Sequence, residues 1–130
     1  MGNIQIKNKI NHQDMQSIIN SNKFIIINTL PNNKQHCLVA NTLSIEQELI
    51  FFNKPVFNKN IVIYGMNDHD QTVLTKYKDL INRGFDNVFV YVGGLFEWLL
   101  LQDIYGFDEY PTTNKELNIL QYQPNNLFNS

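Results

Sequence analysis

The stretch NIVIYGMNDHDQT, Asn60 to Thr72, decides how this chain folds. Ile61 to Tyr64 is an uninterrupted apolar, β-rich run, the mark of a strand covered on both faces. Six residues follow, Gly65, Met66, Asn67, Asp68, His69 and Asp70, and from Gln71 to Arg83 the residues Val73, Leu74, Tyr77, Leu80 and Ile81 recur at helical spacing. Strand, short loop and helix start, in that order, are the layout with which α/β enzymes present a nucleophile or cradle an anion. Yet the first loop residue is a glycine, and the loop contains no Cys, Ser, Lys or Arg.

Working outward, the alternation continues on both sides. Arg83-Gly84 ends the helix with a basic last turn and a residue suited to a left-handed cap, and Val88 to Val92 reads as the next strand. Gly93-Gly94 closes that strand, and Leu95 to Tyr105 reads as a mostly buried helix. Upstream, Asn11 can cap a helix carrying Met15, Ile18 and Ile19. Phe24 to Ile27 is a further buried strand, Pro31 to Lys34 a polar turn, and Cys37-Leu38-Val39 a short strand. Ser44 to Ile50 gives one or two helical turns before Pro55. Strands alternating with helices in this way predict an α/β fold: a parallel sheet of about five strands with helices on both faces and right-handed crossovers. Ligands of such sheets sit at the carboxyl ends of the strands, where the Gly65 to Asp70 loop falls.

Composition bounds the function. With 130 residues, 43% of them hydrophobic, the chain can bury one core, and a single domain is expected. No run approaches a membrane span and no leader pattern opens the chain, so a soluble, intracellular (cytoplasmic) protein without membrane association is expected. The formal charge is −2, and the Lys and Arg residues are scattered among acids, which leaves no electrostatic footprint for nucleic acid. The lone Cys37 excludes an internal disulfide and a cysteine-built metal cluster.

The second half resembles a rhodanese domain. The resemblance rests on the strand that ends at a six-residue loop, on Arg83-Gly84-Phe85-Asp86-Asn87-Val88, where that family has a Gly-Phe-x-Asn-Val turn, and on Gly93-Gly94 followed by Trp98. It covers Phe24 to Pro111, so residues 1–113 are expected to form the rhodanese-like domain and 114–130 an extension with a short helix and a tail. Asn28 and Leu30 stand where the family usually has Asp and Arg, and His36 to Ala40 is similar to its His-Ile-Pro-Gly-Ala stretch. The resemblance implies sulfur transfer through a persulfide on the first loop residue, but Gly65 stands there, and Asp70 stands where Arg or Thr is common. Two carboxylates, Asp68 and Asp70, are expected to satisfy the helix start themselves, and Gly65→Cys is expected to fit if the backbone angles suit it. The loop then reads as vestigial, with no catalytic residue, no cofactor and no metal.

Other sites have plain structural readings. Cys37, with His36 beside it, is the displaced-nucleophile alternative, although neighbours on an extended segment point apart. Asp68, His69 and Asp70 are three consecutive residues and converge poorly on one ion. Gly93-Gly94 lacks the rest of any phosphate-loop pattern, and Trp98, Phe96 and Leu99 to Leu101 belong to a core helix. The expected role is that of a non-catalytic module that binds an unidentified protein partner, as scaffold or regulator. The alternatives are a sulfurtransferase using Cys37 and a structural component of a larger, possibly viral, assembly. The expected interaction surface joins Asp68 and Asp70 to Tyr105, Phe107, Asp108, Glu109 and Tyr110. Leu117, Ile119 and Leu120 with Tyr122, Leu127 and Phe128 are spaced anchors that dock either on this domain or on a partner.

Overall fold

The computed structural model describes residues 5–126 and residue 128. Four parallel strands, β1 (Lys9–Ile10), β2 (Phe24–Asn28), β3 (Asn60–Tyr64) and β4 (Val88–Tyr91), form one sheet in the order β1-β4-β3-β2. The helices are α1 (His12–Ser21), α2 (Ile45–Asn53), α3 (Gln71–Arg83) and α4 (Gly94–Tyr105). Side chains alternate across the pleat, so the apolar runs of the central strands feed two cores. Ile26, Val62 and Tyr64 meet Met15, Ile18 and Ile19 of α1 and Leu95, Trp98 and Leu99 of α4 on one face. Ile27, Ile61 and Ile63 meet Val73, Tyr77 and Leu80 of α3 on the other, with Phe85.

Local chemistry sets the helix ends. Asn11 and Asp14 form a reciprocal capping box at α1, and Ser44 with Gln47 does the same at α2. Asp70 caps α3, and Gly84, at φ 106°, ends it in the left-handed region that glycine tolerates. No residue of α2 is fully buried; it rests on the α3 face through Phe51 and Phe52, whose rings lie 6.2 and 5.6 Å from that of Phe85. A Glu48–Lys76 ion pair of 3.0 Å ties it to α3.

Three expectations are corrected. The described sheet has four strands instead of about five, and its first member is β1, a two-residue strand too short to carry a periodic signal. Cys37-Leu38-Val39 is not a strand, because its backbone is engaged elsewhere. The Val39 amide donates to the Tyr64 hydroxyl (3.0 Å), while Ala40 donates to Pro111 and Thr113 to Leu38. Only an isolated bridge, Val39 to Thr112, results. Finally, α4 is not buried all round: Leu95, Trp98 and Leu99 face the sheet, whereas Leu100, Ile104 and Tyr105 are 38, 68 and 63% exposed. A helix lying on one side of a sheet has only one side to bury.

Beyond α4 the chain returns over the α1/α4 core. Trp98 Nε1 donates to the Pro111 carbonyl (3.0 Å), and a single 3-10 turn, Ile119–Tyr122, replaces the short helix expected around Leu117 to Leu120. Tyr122 is fully buried in the core shared with Trp98 and Cys37, so the chain through this residue docks on its own domain. Leu117 and Leu120 point outward, Phe128 is exposed, and Leu127 lies outside the described residues.

The Tyr122 hydroxyl is buried without a hydrogen-bond partner among the described residues. Tyr122→Phe is therefore expected to leave stability unchanged or raise it, since a buried, unsatisfied polar atom is removed. Tyr122→Ala is expected to cost about 3 kcal/mol through loss of a large core side chain. Urea unfolding of the two variants checks the pair. Burial pushes the Tyr122 phenol up to about 12, and burial also raises those of Tyr64 and Tyr91. The folded state thus holds these protons more tightly than the unfolded chain. Their contribution is full below about pH 10 and is lost as pH rises through the folded values, so the melting temperature is expected to fall steadily above that pH.

Candidate functional site

The loop that follows β3 lies against the start of α4. The amides of Leu95 and Phe96, which open a helix and so lack intrahelical acceptors, donate to the carbonyls of Gly65 and Met66, each at 2.9 Å. The approach is backbone to backbone. Gly94 has φ 70°, and a Cβ there would lie 2.8 Å from both Asn67 N and Gly65 O. Its glycine is thus required by conformation and by space.

Asp70 closes the loop from the other end. Its Oδ2 accepts from the Met66 amide (2.8 Å), and its Oδ1 accepts from the Thr72 amide (3.0 Å) and the Thr72 hydroxyl (2.6 Å). Thr72 Oγ1 is also 2.8 Å from Thr29 Oγ1, at the end of β2. One carboxylate therefore satisfies amides both at the loop's start and at the N-terminus of α3, where negative charge is favoured. The expectation of two aspartates at that helix end is corrected. Asp68 is exposed and turned to His69 Nδ1 (2.9 Å), and Asn67 closes a local turn within the loop by accepting from the His69 amide (2.9 Å). Buried Asn67 also donates to the Tyr122 carbonyl (2.8 Å), which fastens the loop to the returning tail.

Gly65 is buried and lies outside the left-handed region. Space alone requires a glycine here. A Cβ would stand 2.5 Å from Asp70 Oδ2, 2.5 Å from Val73 Cγ2 and 2.9 Å from Thr29 Oγ1. This overturns the expectation that Gly65→Cys fits, because the volume a cysteine side chain would enter is already occupied by the cap and by a stiff β-branched residue.

At the loop mouth is a cavity of about 710 Å³, lined by Met66, Asn67, His69 and Asp70 of the loop, Gln71 and Thr72 of α3, Thr29 and Pro31 after β2, and Gln123 and Asn125 of the tail. Among the described residues, no Lys or Arg lines it. Sequence reasoning missed Thr29, Gln123 and Asn125. The strand-end rule for ligand sites points to Thr29, since β2 and β3 are neighbours in register; no local pattern points to the tail residues.

The other candidates lie elsewhere. Cys37 is buried, its thiol donates to the Asn114 carbonyl (3.1 Å), and burial pushes its pKa up. His36 turns instead to Glu116 (2.6 Å) and, through that hydrogen bond, holds the carboxyl below its usual value. Asn28, in the place of the family's aspartate, accepts from the Leu30 amide (3.0 Å) and from Gln35 Nε2 (2.8 Å), a purely structural bracket. The Tyr105 to Pro111 segment contributes nothing to the loop cavity. Tyr110 is buried against Trp98 (4.9 Å between ring centres), with its hydroxyl 2.9 Å from His12 Nδ1, and so is no surface anchor. Phe107 is half-buried, while Tyr105, Asp108 and Glu109 are exposed; the two acids line a separate cleft with α1. The surface expected to join Asp68 and Asp70 to Tyr105, Phe107, Asp108, Glu109 and Tyr110 is therefore not a single rim around that cavity.

No family model matches the chain, and no curated protein matches it. Solved structures do match. The Alr3790 protein from Anabaena sp. superposes with a TM-score of 0.63 at 17% identity, over 86% of this chain and 97% of the other. The Rhodanese_3-like domain of the Alr3790 protein superposes with a TM-score of 0.52 at 21% identity, over 70% of this chain and 99% of the other. A protein from Lactobacillus plantarum gives 0.60 at 15% identity, over 72% and 83%. The chain has a rhodanese-like α/β fold.

The occupied space behind Gly65 makes a direct prediction. Gly65→Ala and Gly65→Cys are each expected to destabilise the domain by about 1–3 kcal/mol through overpacking. Asp70→Ala, which removes the cap and orphans the Met66 amide, is expected to cost about 1–2 kcal/mol. Denaturant titrations measure all three; wild-type stability in Gly65→Cys would mean that Val73 and Asp70 yield freely.

Proposed function

We propose that this rhodanese-like domain is non-catalytic and serves as a protein-recognition module, in a scaffolding or regulatory role. The observation that carries this reading is the position of Asp70. Its carboxylate lies where the side chain of a loop nucleophile would project from residue 65, and it already binds the Met66 amide. Sulfur transfer through a persulfide needs a thiolate held by free amides and a cationic approach for the sulfur donor. Here the nucleophile position is a glycine, the amides of Met66 and Thr72 are engaged by the protein's own carboxylate, and the cavity mouth offers no Lys or Arg. The charge of Asp70 opposes an anionic donor such as thiosulfate as well.

Cys37 does not support the enzymatic alternative. A buried thiol with a raised pKa, hydrogen-bonded to a backbone carbonyl while the neighbouring His36 imidazole turns to Glu116, has the character of an inert core residue. With chemistry gone, what the fold retains is a rigid frame with exposed apolar and acidic side chains around it, which suits binding to another protein.

The purified chain is expected to transfer no sulfur from thiosulfate to cyanide above background. Turnover that disappears in Cys37→Ser would overturn the non-catalytic reading and assign the reaction to that cysteine. Turnover that survives Cys37→Ser would overturn it equally.

A further inference from the structure

The outer face of α4 is apolar where a solvent-facing helix is ordinarily polar. Leu100 and Ile104, four residues apart, share one side of the helix, and Tyr105 follows; all three are exposed although the opposite side is fully packed. A helix apolar on both sides is one that a second surface covers.

Charge indicates which surface. At the C-terminal end of α4 lie three acids, Asp103, Asp108 and Glu109; the one cation beside them among the described residues, Lys115, sits over the Phe107 ring, 5.8 Å from its centre, on the side away from α1. Asp103 lies in the last turns of α4, and Asp108 and Glu109 lie in the turn that folds back on it through Tyr110 N to Gly106 O (3.2 Å) and Gln102 Nε2 to Tyr110 O (2.8 Å). The carbonyl end of a helix favours cations, so acids placed there act against the helix dipole. Neither Asp108 nor Glu109 has an ion-pair partner among the described residues.

The same two acids line a cleft of about 250 Å³ with Gln16, Ser17 and Asn20 of α1. Each of these α1 side chains turns a donor to a backbone carbonyl: Gln16 to Glu109 (2.8 Å), Ser17 to Gln13 (3.4 Å) and Asn20 to Gln16 (3.2 Å). What the cleft offers outward is amide oxygens and carboxylates, an acceptor set suited to an ammonium or a guanidinium.

We propose that this face docks a basic amphipathic segment of a partner protein. Its apolar residues cover Leu100, Ile104 and Tyr105, and a Lys or Arg side chain enters the cleft between α1 and the turn after α4. The proposal rests on the reading of the domain as a recognition module and supplies the chemistry of its partner. A second copy of this chain fits less well, because a two-fold contact centred on Ile104 would set Asp103 and its neighbouring acids against themselves. An anionic lipid surface would be repelled by the same acids.

The test uses the full chain and two synthetic amphipathic helical peptides with the same Leu face, one with Arg on its polar face and one with Glu. The Arg peptide is expected to bind, with amide shifts concentrated at residues 100–109 and 16–20, and the Glu peptide is not. Ile104→Asp, and Asp108→Asn combined with Glu109→Gln, are each expected to weaken binding at least about tenfold. The melting temperature should not change, and added salt should weaken the wild-type complex. Equal binding of both peptides, shifts centred on the exposed α2 residues Leu49 and Ile50, or unaltered affinity in the charge variant would each overturn the proposal. Self-association that Ile104→Asp abolishes would assign the face to a second copy and overturn it as well. Sulfur transfer by a chain that still binds the Arg peptide would sink the non-catalytic reading and leave the docking site standing. Absence of both would sink the docking site alone.

Discussion

Two backbone hydrogen bonds, from the Leu95 and Phe96 amides to the carbonyls of Gly65 and Met66, hold the loop of β3 on the first turn of α4. They join the two ends of the architecture: the loop belongs to the unit β3–α3 on one face, and α4 covers the other. Because the contact is between backbones, it demands a residue without a Cβ at position 94, and the Gly93-Gly94 pair supplies it. With the Gly65 and Met66 carbonyls fixed toward α4, the Met66 amide turns to the α3 side. Some group there has to satisfy it, since a buried amide left unpaired is costly.

Asp70 is that group. In an anion-binding loop of this layout the amides and the helix dipole are left for a ligand. Here the carboxylate four residues after Met66 accepts from the Met66 amide, and Gly65 leaves the room in which that carboxylate sits. The two positions depend on each other sterically. A side chain at 65 and a carboxylate at 70 in its present rotamer cannot coexist.

The second organising feature is the asymmetry of α4. Its inner side meets the sheet with Leu95, Trp98 and Leu99, and Trp98 then fixes the returning chain through the Pro111 carbonyl. That return brings Tyr122 into the core and Asn67 against its carbonyl, so the tail, the loop and the helix become one packed body. The outer side leaves Leu100, Ile104 and Tyr105 exposed, with Asp103, Asp108 and Glu109 toward its C-terminal end.

The sequence by itself determined the elements whose signals are local: the capped helices α1 and α3, the glycine stop at Gly84, and the buried strands β2, β3 and β4. It also carried the parallel order of strand and helix, because alternating periodicities allow little else. Only the tertiary structure decided where side chains without a periodic signal point. Asp68 and Asp70 are equivalent in sequence, yet one faces solvent and the other caps the loop. Cys37 to Val39 has strand composition, yet the Tyr64 hydroxyl, twenty-five residues later in the chain, takes its amide away from any sheet. Tyr110 and Tyr105 are both aromatics near a helix end, and the position of Trp98 buries one and leaves the other exposed. These outcomes depend on contacts between residues distant in sequence, and composition and spacing contain no information about which distant group arrives.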